Sequence, residues 1–267
     1  VLLLHGGTGS MGSVFRPYAG GSKAWVPLAA QEQFFLLVPN GTNAKTGDPG
    51  GTRQNWNDLR PTKASADDVA FINEMLDWAQ EHYPIDPQRI YVTGASNGGM
   101  MTYRLLIETP ERFAAGVAFI ASFPDDPALL SQPEMATPLM IVSGTEDPLV
   151  KWEGGKIRSS EGGEIMSAED NLAWWLTANQ ANPQAAITTQ LPDNNQDDDC
   201  QLHQTVYPAG DNGATIVFIR MDGGGHAMPS IKYEIFENML VDRLIGPVCK
   251  DIEGAQLAWT FMREFQR

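Results

Sequence analysis

Arg89-Ile90-Tyr91-Val92-Thr93-Gly94-Ala95-Ser96-Asn97-Gly98-Gly99-Met100 decides how the rest of the chain is read. Ile90, Tyr91 and Val92 make a short β-forming run, so Arg89–Thr93 reads as a strand. A helix follows, from about Gly98 to Glu108. Between them Gly94-Ala95-Ser96-Asn97-Gly98 fits the pattern glycine-x-serine-x-glycine. The pattern alone is weak, because glycine and serine are common. Its place between a strand and a helix gives it weight: there the serine sits on a tight turn, its hydroxyl projecting above the carboxyl edge of a sheet. Gly94 and Gly98 leave room where a Cβ would collide. The competing reading is an ordinary strand-to-helix turn.

Working outward, apolar strands alternate with helices. Val1–Leu4 is a buried strand that runs into the glycine turn His5-Gly6-Gly7, and Phe34–Val38 is a second apolar run stopped by Pro39-Asn40-Gly41. Ala66–His82 has Val69, Ile72, Met75, Leu76 and Ala79 at helical spacing, ended by Pro84. Phe113–Ile120 and Leu139–Val142 read as buried strands and Ala168–Ala181 as a helix. Gln204–Tyr207 and Ala214–Arg220 read as a hairpin, and the last helix lies near Gly254–Phe265. Uncharged strands alternating with helices predict an α/β fold with a mostly parallel central sheet covered on both faces. No repeat or linker divides the chain, so one domain over 1–267 is expected. Val1–Leu4 lacks the basic start and cleavage site of a signal peptide. It reads as the end of a strand, so upstream strands are expected to be missing.

The 267 residues carry 18 Lys and Arg against 33 Asp and Glu, a net charge of −15. That argues against nucleic acid and anionic membrane surfaces as partners. The longest uncharged apolar stretch, Phe113–Pro124, is too short to span a bilayer. The acidic stretch Asp193–Asp199 lacks the glycine and terminal glutamate of a calcium loop and reads as solvated. Cys200 and Cys249 have no metal-ligand spacing; they are either one disulfide or two unrelated thiols.

A serine hydroxyl needs a base beside it. Of four histidines, His5 lies in the first glycine turn, His82 ends a helix and His203 adjoins the acidic loop. His226 follows Gly223-Gly224-Gly225 after a strand, downstream of Ser96, as the order serine, acid, histidine requires. The acid should follow a strand between them. Asp147, in Gly144-Thr145-Glu146-Asp147-Pro148 after Leu139–Val142, fits that place; Glu146, Asp125, Asp126 and Asp222 compete. Its role would be to hold the His226 tautomer. An oxyanion hole would draw on the Asn97 backbone N–H and on that of Gly7 or Thr8 in the early turn.

With these residues in view, the chain resembles the poly(3-hydroxybutyrate) depolymerase-like esterases, a family of α/β-hydrolases that includes feruloyl esterases. The matching segments are His5-Gly6-Gly7, Pro39-Asn40-Gly41-Thr42, Trp56-Asn57-Asp58, Asp67–Ile72, Ile90–Met100, Gly144–Val150, Trp152-Glu153-Gly154-Gly155 and Gly223–His226. The resemblance implies the α/β-hydrolase fold and a triad of Ser96, Asp147 and His226. It further implies an acyl-enzyme route to ester hydrolysis, no cofactor and no metal, small-molecule or polymeric ester substrates, and a secreted or periplasmic setting. Trp56 and Trp152 resemble residues lining the family's substrate cleft; core or surface packing is the equal alternative. Met228 stands where the family carries a tryptophan, so a more open cleft of feruloyl, aryl or hydroxyalkanoate type is expected. A peptidase or acyltransferase on the same fold, or a binding protein with an idle site, are the rival readings.

Overall fold

The structure is a computed structural model that describes residues 1–16, 20–60, 65–126, 129, 131–157, 162–233 and 244–267. In chain order its elements are β1 (Leu2–Leu4), α1 (Trp25–Glu32), α2 (Asp68–His82), β2 (Tyr91–Ala95) and α3 (Asn97–Glu108). Then come β3 (Ala115–Phe119), β4 (Leu139–Gly144), β5 (Gly155–Lys156), β6 (Glu164–Ile165), α4 (Ala168–Ala178), β7 (Ile187–Gln190), β8 (Gln201–Tyr207), β9 (Ile216–Asp222) and α5 (Gly254–Met262).

Seven strands form one sheet in the order β1-β2-β3-β4-β9-β8-β7. From β1 to β9 all neighbours are parallel, and β8 and β7 add an antiparallel edge. The parallel strands β1 to β4 are buried along almost their whole length, which is why they read as continuous apolar runs rather than alternating ones. Successive side chains still point to opposite faces. Leu2, Leu4 and Val92 pack with Ile72 and Leu76 of α2, Leu105 of α3 and Trp175 of α4. Leu3 and Tyr91 face the other way, with Trp25 and Leu28 of α1 and Ala258, Trp259 and Met262 of α5. Helices thus cover both faces, as expected.

Caps place the helices. Asp67 opens α2 by accepting from the Ala70 N–H at 3.1 Å, and Ser167 opens α4 by accepting from Asp170 N–H at 3.0 Å. The apolar run Phe34–Val38 is a strand only in part. Leu37 bridges Leu2 in parallel, its N–H donating to Val1 O at 2.9 Å and its carbonyl accepting from Leu3 N–H at 2.8 Å. The helix α1, the two-residue strands β5 and β6, and the exposed edge strand β7 carry no clear signal in the sequence. Among the described residues, no helix is long and apolar enough to cross a membrane.

Cys200 and Cys249 are disulfide-bonded, with Cα atoms 5.4 Å apart across a separation of 49 residues. The bridge ties the start of β8 to the segment before α5, beside the turn that follows β9. Closing such a loop is worth about 4 kcal/mol in the chain-entropy model. Reduction is therefore expected to lower the thermal midpoint by roughly 5–10 °C for a chain of this size. Two reactive thiols in the denatured, unreduced protein would refute the bond.

Candidate active site

The carboxyl ends of β1, β2, β4 and β9 open on one edge of the sheet, and each carries one part of the site. After β2 the chain turns within a single residue into α3. Ser96 occupies that turn with φ 57° and ψ −124°, a strained conformation for any residue with a Cβ. The turn is possible because its flanks are bare. A Cβ on Gly94 would strike the Gly98 carbonyl, and one on Gly98 would lie 2.6 Å from the His5 carbonyl oxygen. The backbone is pinned by Ser96 N–H to Phe119 O and Met100 N–H to Ser96 O, both 2.9 Å. Among the described residues nothing hydrogen-bonds the Ser96 hydroxyl.

Asp147 lies in the turn after β4 and His226 in the turn after β9. The two turns are laced together: Glu146 N–H donates to Gly224 O at 2.9 Å and Gly223 N–H to Thr145 Oγ1 at 2.9 Å. His226 Nδ1 is 2.7 Å from Asp147 Oδ2. Asp147 is 4% exposed, and its other oxygen accepts from the N–H groups of Leu149 and Val150 at 2.8 Å each. A carboxylate can only accept, so Nδ1 carries a proton, and in the neutral ring Nε2 is the atom with the lone pair. The competing acids lie elsewhere. Glu146, Asp125 and Asp126 are exposed, and Asp222 pairs with Arg220 and His203 on the sheet. His82 bonds the Trp78 carbonyl at the end of α2.

Ser96 and His226 share a cleft of about 590 Å³. Gly7, Thr8 and Asn97 line it as well, with Met228 and an apolar wall that includes Ile120, Leu149, Val150 and Ile157. Asn97 opens α3, so its backbone N–H has no acceptor within the helix. The Thr8 N–H is taken by Asn55 Oδ1 at 3.0 Å. That corrects the expectation for Thr8 as a donor and leaves Gly7, whose N–H has no acceptor among the described residues. Met228 is nearly buried, held against Gly21, and accepts at sulfur from the Ser22 hydroxyl at 3.5 Å.

The expectation that Trp56 lines the cleft is also corrected. Trp56 is 1% exposed and belongs to the core. Its indole N–H donates to His5 O at 2.9 Å and its ring lies 4.9 Å from the His5 ring, so it anchors the glycine turn from below. Trp152 is likewise outside the cleft: it packs on Phe218 and under the Arg220 guanidinium, beside Asp147. A tryptophan's wish to bury its ring is met equally by a core and by a cleft, so sequence could not separate them.

One part of the site had no signal in the sequence beyond its place near Trp56. The Asn97 side chain is buried and fully bonded. Its oxygen accepts from Trp56 N–H at 2.7 Å; its amide donates to Trp56 O at 3.0 Å and to Asp58 Oδ2 at 2.6 Å. Asp58 in turn forms a buried ion pair with Arg60 at 2.7 Å, and Arg60 Nη1 donates to Gly162 O at 2.7 Å. The start of α3 is thereby clamped to the 55–60 segment, fixing where the Asn97 N–H points.

His5 supports the other side. Its Nε2 accepts from Gly41 N–H at 3.1 Å and its Nδ1 lies 2.8 Å from Gly6 O, an arrangement for neutral imidazole. Burial pushes its pKa below the ordinary histidine value. The folded state therefore disfavours the proton that the unfolded chain accepts. This contribution is complete above the unfolded value, about 6.5, and is lost as pH falls below it. The urea midpoint should fall on acidification from about pH 7.5 to 5.5, and less steeply in His5→Gln. An equal slope in both proteins would remove His5 as the cause.

The fold compares with solved structures. The acetyl xylan esterase from Aspergillus awamori superposes with a TM-score of 0.54 at 17% identity, covering 85% of this chain and 83% of that one. The chain has the α/β-hydrolase fold. Residues 31–123 match the prolyl oligopeptidase family, a stretch that contains the Ser96 turn but stops before Asp147 and His226. Among curated proteins it is 24% identical over 215 residues to a bifunctional acetylxylan esterase/xylanase of Neocallimastix patriciarum, over 80% of this chain and 27% of that protein. It is 28% identical over 185 residues to feruloyl esterase B of Piromyces equi, over 68% of this chain and 32% of that protein. The chain thus spans about a quarter to a third of the length of these two relatives.

Proposed function

We propose that residues 1–267 form one catalytic domain, a serine carboxylesterase, in which Ser96 is the nucleophile, His226 the base and Asp147 the residue that orients it. The observation that carries this reading is the His226–Asp147 bond of 2.7 Å beside a strained, unbonded serine in the same cleft. Ser96 Oγ attacks the ester carbonyl as His226 Nε2 takes its proton. The developing oxyanion is met by the N–H groups of Gly7 and Asn97. His226 then returns the proton to the departing alcohol, and water hydrolyses the acyl-enzyme by the same route. Every charge that develops meets a group this chain supplies.

The similarity to acetylxylan and feruloyl esterases supports an ester substrate, small or polymeric. The apolar wall and the thioether of Met228 suit aryl or hydroxyalkanoate acyl groups. The disulfide supports a secreted or periplasmic setting, where such bonds persist. A peptidase is the second reading, favoured by the partial prolyl oligopeptidase match. Labelling by a fluorophosphonate, followed by turnover of methyl ferulate, p-nitrophenyl acetate and peptide anilides, separates the readings. Labelling at Ser96 with ester but no anilide turnover is the expected result. Anilide turnover exceeding ester turnover would transfer the protein to the peptidases.

A further inference from the structure

The described lining of the cleft differs in charge from the chain as a whole. Acidic side chains outnumber basic ones 33 to 18 in the chain, yet no aspartate or glutamate lines the cleft among the described residues, while Arg53 and Arg60 do. Arg60 is neutralised by Asp58. Arg53 has no such partner: its guanidinium makes no ion pair or hydrogen bond among the described residues. Its backbone is nevertheless fixed. The Arg53 carbonyl accepts from Asn43 Nδ2 at 3.2 Å, and the next residue, Gln54, is wholly buried, with its N–H donating to Gly9 O at 2.8 Å and its side-chain amide to Gly41 O at 3.0 Å.

A cation on a rigid segment, in a cleft whose described lining holds no acid and includes an apolar wall, suits a substrate with one apolar part and one anionic part. We propose that Arg53 binds a carboxylate carried by the ester substrate, so that the preferred substrates are half-esters or esters of hydroxy acids with a free carboxylate. This rests on the ester-hydrolase reading above and names the substrate class of that site. Guanidinium pairs with carboxylate through two parallel N–H···O bonds, giving geometric as well as electrostatic selection. The net negative charge of the chain disfavours a random encounter with such an anion, so the selection rests on the contact with Arg53 itself.

The test compares kcat/KM within matched pairs. Mono-p-nitrophenyl adipate against methyl p-nitrophenyl adipate places the charge on the acyl side. O-acetyl glycolate against its methyl ester, followed by acetate release, places it on the alcohol side. One pair should show a preference for the anion of about tenfold, the scale of a hydrogen bond to a charged group. That ratio should collapse towards one in Arg53→Gln, persist in part in Arg53→Lys, and shrink with added salt. Arg53 is exposed, and an unchanged circular dichroism spectrum would establish that the variants fold. Absence of an anion preference in both pairs, or a ratio that Arg53→Gln leaves intact, overturns the inference while leaving ester hydrolysis standing. Failure of the wild-type protein to hydrolyse either pair or p-nitrophenyl acetate overturns both.

Discussion

Purified Ser96→Ala protein should lose about 10⁶ in turnover on any ester the wild type accepts, the loss seen when a triad nucleophile is removed. It should lose little or nothing in stability. No hydrogen bond holds the Ser96 hydroxyl among the described residues, and the elbow is held by its backbone, through Phe119 O and Met100 N–H. Activity and fold can therefore be separated in one experiment, by measuring ester turnover and the urea midpoint on the same preparation. A folded variant retaining turnover within about tenfold of wild type would dismiss Ser96 as the nucleophile.

Asp147→Asn should lower kcat by about 10⁴ while leaving KM nearly unchanged, as expected when the histidine tautomer is lost. The local bonds say why. One oxygen of Asp147 accepts from two backbone N–H groups, Leu149 and Val150. An asparagine must keep its oxygen there, which turns its NH₂ towards His226. Nδ1 then becomes an acceptor, the ring proton moves to Nε2, and the base can no longer receive a proton from Ser96. Glu146→Gln is the control, since Glu146 is exposed on the same turn. Loss in that variant with wild-type behaviour in Asp147→Asn would mean that the acid is misassigned.

The parts legible in the sequence are those fixed by short-range geometry. The Ser96 turn announces itself because two backbones cross at Gly94 and Gly98, and only glycine fits both places. Asp147 and His226 could be chosen because each follows a strand with an apolar run, β4 or β9, whose end must lie on the same sheet edge. What stayed hidden depends on partners remote in sequence. Trp56 and Trp152 could not be assigned to core or cleft from their own neighbourhoods. The Asn97–Asp58–Arg60 clamp joins residues 39 apart between its first two members, with no periodicity to betray it. The exposed strand β7 lacks an apolar face because it has no face to bury, and the helix α1 follows a run of short turns that masks its start.

The left-handed backbone at Ser96 sets the fold's interest against the chemistry's. A residue with a side chain held at φ 57° and ψ −124° costs on the order of 1–3 kcal/mol, and a glycine there would recover much of it. Selection for persistence alone, in an evolving lineage or a laboratory screen for heat survival, would thus drift towards an inert, sturdier molecule by changing this one codon. The serine keeps a position that glycine would improve only so long as turnover is what holds it there.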